Sequence, residues 1–298
     1  MKIKEIFDFL KSENIAFSFE GDLAAEVTGF SSLIHYKEGS FTWIKTEKNI
    51  PENFDVSKIQ LAFVSEGIDI QAKNIIKTSE SKHAFFSTIE NFYDDKKERP
   101  DIGQFTYISP KVKLGKNVKI GHNCVLDGEI IIGDNTEIWN NVTIMNRVSI
   151  GNNCIIYSGT VIGHDGLAYS EDENYKRNLV KHYGGVTIGN NIRIGECTSI
   201  GRGTIDDTVL EDGVIIGSMG KIGHNCYLGK NASVLSWSML FGSVHVEEHA
   251  YIVGSIVRNQ CRIGKDAFVG FGSVVVKDVP AGQVVVGNPA HPFEKKGK

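Results

Sequence analysis

Cysteine is scarce in this chain, with five in 298 residues and no CxxC pair. That excludes a disulfide framework and argues against a cysteine-built metal site. Basic excess is also missing: the formal net charge is −4, so there is no electrostatic footprint for nucleic acid. No apolar run reaches the roughly 18 residues of a membrane span. The opening MKIKEIFDFLKSEN is too charged for a signal peptide. These absences lead us to expect a cytoplasmic protein with no membrane span and no nucleic-acid partner.

What is present is a six-residue period. From Ile102 every sixth residue is Ile or Leu through Ile108, Leu114, Ile120, Leu126, Ile132, Ile138, Ile144, Ile150, Ile156 and Ile162. The phase returns at Ile188, Ile194 and Ile200, and again from Leu210 to Ile252. Such a run predicts a mainly β fold, a hexapeptide parallel β-helix with three faces to a coil. Cys124, Cys154 and Cys226 fall four residues after a repeat aliphatic, where Val118, Val142 and Val148 also fall. That second position is expected to face the interior, which makes these cysteines small buried hydrophobes.

Residues 1–100 lack the period and are expected to form a small α/β domain. Ile3, Ile6, Phe7 and Leu10 share one face of a first helix, β-like runs FSF, GSFTWI and LAFV follow, and a Phe-rich helix is predicted around Lys82–Tyr93. The β-helix is expected over 101–282, with a short tail over 283–298. Two interruptions break the period: the polar, glycine-bounded segment Gly163–Gly185 and a shorter slip at Gly203–Thr208. Insertions in a solenoid emerge as loops and often bind ligands. Flat faces rich in β-branched residues also favour side-by-side packing of several copies, with identical sites between them.

A coil of Ile, Val, Gly and Asn offers few reactive groups, so the histidines are the first candidates. The string KIGHNC occurs twice, giving His122 and His224 the same repeat position. Context favours His224. IGRGTIDDT, with Arg202, Asp206 and Asp207, stands upstream, and Gly242 follows three hexapeptides later, one coil turn on, where its amide can meet an oxyanion. His164 and Asp165 open the long loop and either orient a substrate or cap the turn. Arg202 either meets a diphosphate or pairs with Asp206.

The chain resembles the UDP-3-O-acylglucosamine N-acyltransferases of lipid A biosynthesis through its N-terminal domain, SGTVIGHDGLAYS, RGTIDDT and GVIIGSMGKIGHNCYLG. The resemblance implies a left-handed β-helix, a homotrimer, and N-acyl transfer from a thioester to the amine of a nucleotide-linked amino sugar, with no bound cofactor or metal. It implies His224 as general base, Gly242 as oxyanion donor and Trp43 as an aromatic against the uracil. The second such aromatic is replaced by Asn49, and the Asp-Asn pair ahead of the family's histidine by Gly217 and Ser218. Gln260 and Cys261 stand where a second family histidine is expected, so Gln260 becomes a candidate for the acyl donor. The family's helical extension is also missing. The ending VVVGNPAHPF instead resembles acetyl-CoA-dependent sugar acetyltransferases, making Asn288 a donor-site candidate, with Lys277, Lys295 and Lys296 near it for phosphates. The donor is thus an acyl carrier protein thioester or an acyl-CoA. The alternative function is acetyl-CoA-dependent N-acetylation of a dideoxy-amino nucleotide sugar of a surface glycan.

Two rivals have less support. γ-Class carbonic anhydrases share the coil and bind zinc through HxxxxH, but His245 and His249 are one residue too close and alternate with Glu247 and Glu248. A non-catalytic scaffold leaves the two insertions without a purpose. Trp139 and Trp237 fall within repeats and suit packing better than ligand stacking.

Overall fold

The computed structural model describes residues 1–94 and 99–293. The chain divides into two compact units, Met1–Lys97 and Glu98–Lys298, each with its own hydrophobic core.

In the first unit, the helix Ile3–Ser12 buries Ile3, Ile6 and Leu10 at the expected spacing. The Glu5 carboxylate accepts a hydrogen bond from the Lys2 N–H (2.8 Å) and closes the helix start. A four-stranded sheet runs in the order Ser18–Glu20, Ile75–Lys77, Leu61–Val64, Phe41–Ile44, with only the first strand antiparallel to its neighbour. Alternation along the strands splits the core. Phe41, Phe63 and Ile76 face the helices, and Ile44, Ala62 and Val64 pack on the other side. The strand Ile75–Lys77 had no separate signal in the sequence. The second helix spans Ser81–Tyr93.

The second unit is a left-handed parallel β-helix. Most of its strands are two residues long and alternate one out, one in. Arg193–Ile194 pairs with Ile215–Ile216, which pairs with Ser233–Val234. The inward residues Ile194, Ile216 and Val234 are buried, as are Cys124, Cys154 and Cys226 at the second inward position. Ile102 (51 % exposed) and Leu114 (38 %) remain open at the side where the ladder begins. Corners repeatedly place Asn in the left-handed region, among them Asn117, Asn135, Asn153, Asn191 and Asn231. Asparagine is among the few side chains that tolerate that conformation.

Strand pairing divides the coil into a fifteen-stranded and a ten-stranded sheet. The long strands Val125–Ile132 and Thr143–Ile150 run straight through one corner and fuse two of the three faces. Both interruptions leave at this corner without disturbing phase, because Val148 still pairs with Val186 and Ile188 with Leu210. Later turns tighten, with Val246 opposite Ile263. Val284–Val286 adds a further strand on Phe268–Val269 and folds back onto His291–Pro292, so the ladder continues past residue 282.

Candidate functional site

His224 sits where the two interruptions enter. The Ser243 N–H donates to His224 O (2.8 Å) and the Gln260 N–H to Gly242 O (3.0 Å), so His224, Gly242 and Gln260 stack on successive turns of one corner. Gly242 lies directly against the imidazole: a methyl added there would be 2.5 Å from His224 Nε2. Its N–H makes no hydrogen bond among the described residues. On the other side the loop brings Gly166 over the ring, where a methyl would lie 3.0 Å from His224 Cδ2. The histidine thus occupies a slot that only glycine backbone can flank.

One nitrogen of that ring is committed. Asn225 is oriented by its own amide, since Nδ2–H donates to Asp206 O (3.1 Å) while Oδ1 accepts from the Thr204 N–H (3.1 Å) and hydroxyl (2.9 Å). His224 Nδ1 is 3.0 Å from that same oxygen and must therefore donate to it, which leaves Nε2 as a free acceptor. The shorter interruption, through Thr204 and Asp206, is what sets the tautomer. Asp207 anchors its end by accepting from Arg147 (2.6 Å), the Gly185 N–H (2.7 Å) and Thr187 (2.9 Å). Burial pushes the Asp207 carboxyl up, but these donors outweigh it and hold it below the usual carboxylate range.

His224 opens onto a cavity of about 570 Å³ lined by His164, Asp165, Gly166, Lys221, Phe241 and Gly242, among others. His164 Nδ1 contacts Asp165 O (2.9 Å) and Nε2 contacts Ser199 Oγ (2.7 Å), with Lys221 Nζ 3.5 Å from that hydroxyl. Both ring nitrogens are therefore occupied, and His164 forms the wall. Arg202 donates to Gly184 O and lies 3.7 Å from Asp165, pairing with that residue rather than with Asp206. Two residues from His224, Cys226 is inert: burial pushes its thiol up to about 12, and Sγ contacts Phe241 O (3.2 Å).

Other candidates lie elsewhere. Ser218 occupies a different corner, where its hydroxyl bonds Glu196. Gln260 is on the His224 corner, two turns on and exposed. Asn288 is exposed in the turn of the final hairpin, and Lys277 is exposed as well. Lys295 and Lys296 lie outside the described residues. In the first unit, Trp43 lines a second cavity of about 650 Å³ with Lys45, Ser79, His83 and Phe86, and its Nε1–H donates to Ser81 (3.0 Å). Asn49 does not line that cavity; its Oδ1 accepts from the Thr46 N–H (3.1 Å) and hydroxyl (2.8 Å). His245 stacks on Tyr227 (4.5 Å) and His249 pairs with Asp266 (3.3 Å), so the two have separate partners.

Sequence reasoning missed His182. It is 1 % exposed and packs edge-on against His224, with ring centroids 5.5 Å apart. No period runs through its loop. The only available signal was a histidine at the return of an insertion that opens with one.

The chain is 30 % identical to the UDP-3-O-acylglucosamine N-acyltransferase of Campylobacter lari, over 97 % of its own length and 93 % of the relative's. It belongs to that family. It is accordingly an acyltransferase. Family models match residues 204–291 (GMPPB C-terminal domain), 129–164 (bacterial transferase hexapeptide, six repeats) and 111–146 (hexapeptide repeat of succinyl-transferase). An acyl-[acyl-carrier-protein]–UDP-N-acetylglucosamine O-acyltransferase of Pseudomonas paraeruginosa is 35 % identical over 45 % of this chain and 51 % of its own. Among solved structures, the UDP-N-acetylglucosamine acyltransferase of Francisella novicida superposes with TM-score 0.58 at 30 % identity, covering 63 % of this chain and 68 % of that one. LpxA from Acinetobacter baumannii gives 0.58 at 27 % identity, over 65 % and 74 %. No helix among the described residues is long and apolar enough to cross a membrane.

Proposed function

We propose that this member of the family is an N-acyltransferase of lipid A-type biosynthesis, moving an acyl group from a thioester to the amine of a nucleotide-linked amino sugar. The observation that carries this is the free Nε2 of His224, held between Gly166 and Gly242 at the mouth of a cavity. In the reaction, His224 Nε2 takes a proton from the amine as its nitrogen attacks the thioester carbonyl. The new C–N bond forms and the carbonyl oxygen gains charge, which the free Gly242 N–H meets. Collapse breaks the C–S bond, and the leaving thiolate takes from His224 the proton that the amine gave up. The amine is itself the nucleophile, so no acyl-enzyme is needed, in keeping with the inert Cys226. His164 and Asp165 face the acceptor, and Gln260 lies along the same corner toward the donor. The Trp43 cavity of the first unit is the seat we assign to the nucleobase, with Phe86 beside it. On the strength of the family resemblance we take the working form to be a homotrimer.

A second reading, acetyl-CoA as donor, rests on the Gly287–Ala290 turn that closes the last rung as a hairpin. Acyl carrier protein thioesters and acetyl-CoA, each offered with UDP- and dTDP-amino sugars, separate the two when the product amide is followed by mass. Transfer from one donor class and its loss in His224→Ala is the expected result. Full transfer by His224→Ala overturns the role of the base, and transfer to a hydroxyl instead of the amine overturns the acceptor.

A further inference from the structure

We infer that His182 is a positioning residue that latches the long loop over the acceptor side of the cavity and so holds the imidazole of His224 in its slot. The inference rests on the function proposed above. His182 is 1 % exposed, and both its nitrogens are in use. Nδ1 lies 3.0 Å from Val180 O, an acceptor only, so it carries the proton; Nε2 then accepts from the Gly166 N–H (3.3 Å). The two partners lie on opposite arms of the loop: Gly166 on the outgoing arm and Val180 on the return, beside the Val180 N–H bond to Ala168 O (2.8 Å). The strands Tyr169–Glu171 and Arg177–Leu179 pair beyond this point, and their side chains are exposed. With little buried apolar surface to hold the loop, its position over the cavity depends on hydrogen bonds at its base.

The ring also buttresses what it fastens. A methyl on Gly166 would lie 2.8 Å from His182 Nε2 and 3.0 Å from His224 Cδ2, so the three groups are in close packing. Leu167 and Ala168, the next two residues, line the cavity with Asp165. Removing the His182 imidazole frees Gly166, and with it the wall that the acceptor meets and one side of the His224 slot. His182 is not itself among the residues that line the cavity; it packs on His224 and bonds Gly166, so it acts through them. Glutamine offers one oxygen for the Gly166 N–H and should restore part of the latch.

The test compares His182→Ala, His182→Phe and His182→Gln in the full chain. The readouts are separate KM values for acceptor and donor, kcat, and the hydrogen-exchange rate of the Gly166 amide. Misplacement of a wall by an ångström predicts an acceptor KM raised about tenfold or more in the Ala and Phe variants. The donor KM should move little, Gly166 exchange should accelerate, and Gln should recover part of both. Unchanged acceptor KM and Gly166 exchange would overturn the latch. So would a rise in both acceptor and donor KM with a fall in kcat, a loss of Tm and no rescue by Gln, the mark of a merely structural role. If the wild type transfers no acyl group to any amino sugar, the proposed function fails, and the Gly166 exchange comparison decides the latch by itself.

Discussion

Two turns of this β-helix carry the same six residues, KIGHNC, and the structure uses them in opposite ways. At the first, the Gln104 N–H donates to His122 Nδ1 (2.8 Å), so the imidazole spends its free nitrogen on the backbone and keeps its proton on Nε2. At the second, His224 Nδ1 donates to Asn225, and Nε2 makes no hydrogen bond among the described residues. The turn above His122 presents Asn140, whose Oδ1 accepts from the His122 N–H (2.8 Å); the turn above His224 presents Gly242. The strands before them also differ. Lys119–Ile120 lies in the ten-stranded sheet and Lys221–Ile222 in the fifteen-stranded one, so the two histidines stand on different corners. A repeat position fixes how a residue leaves the coil, whereas the tautomer, and hence the chemistry, comes from what the neighbouring turns supply.

Exchanging the histidines for alanine gives the largest contrast. His224→Ala should lower kcat by about 10²–10⁴-fold, the usual worth of a positioned base. His122→Ala should stay within about twofold of wild type, and equal losses in both would dissolve the distinction. Next in size is the flanking glycine. Gly242→Ala drives a methyl into His224 Nε2 and should cost about 10²-fold in kcat/KM. Asn140→Ala on the other turn should cost only about 1 kcal/mol of stability, read by denaturant unfolding. Smaller again is the residue after each histidine. Asn225→Ala and Asn123→Ala share the expense of a left-handed backbone (φ 59° and 55°), so their difference isolates the side chain. Only Asn225→Ala should lower kcat, by about tenfold through the wrong tautomer.

The smallest effect is electrostatic and has a defined sign. Asp207 is held below the usual carboxylate range, so its contribution to stability is present above the unfolded-state pKa and is lost as pH falls through the folded value. Asp207→Asn should therefore be less stable than wild type at pH 7. The gap should close as the pH drops below the ordinary carboxylate range. A gap that widens in acid would show that Asp207 does not anchor the shorter interruption as a carboxylate.

Most of the coil was legible because a period of six with aliphatics at fixed phase has few structural solutions: Ile138, Ile156, Ile194 and Ile216 are all buried where the phase puts them. The stacking of Gly242 on His224 was also legible, since one turn is a fixed number of residues once both interruptions are past. What could not be read is whatever depends on geometry across an interruption. The identical strings hid their different corners because the period records phase but not face. His182 lies in a segment with no period, and its partners Gly166 and Val180 become neighbours only when the loop closes. Asn49 fails for a local reason, because its carboxamide caps its own short turn at Thr46. Ser218 stands in register with a family position, yet within the chain its hydroxyl goes to Glu196.

Both interruptions leave the coil at one corner and return with the strands that follow them in register. The load-free seam this creates separates two kinds of inheritance. The stacked turns can keep their sequence for the sake of the interior, while the arm Gly163–Gly185 can lengthen, shorten or change composition without disturbing them. Novelty in such a molecule enters by splicing at a joint, and the joint stands beside His224, the base we propose.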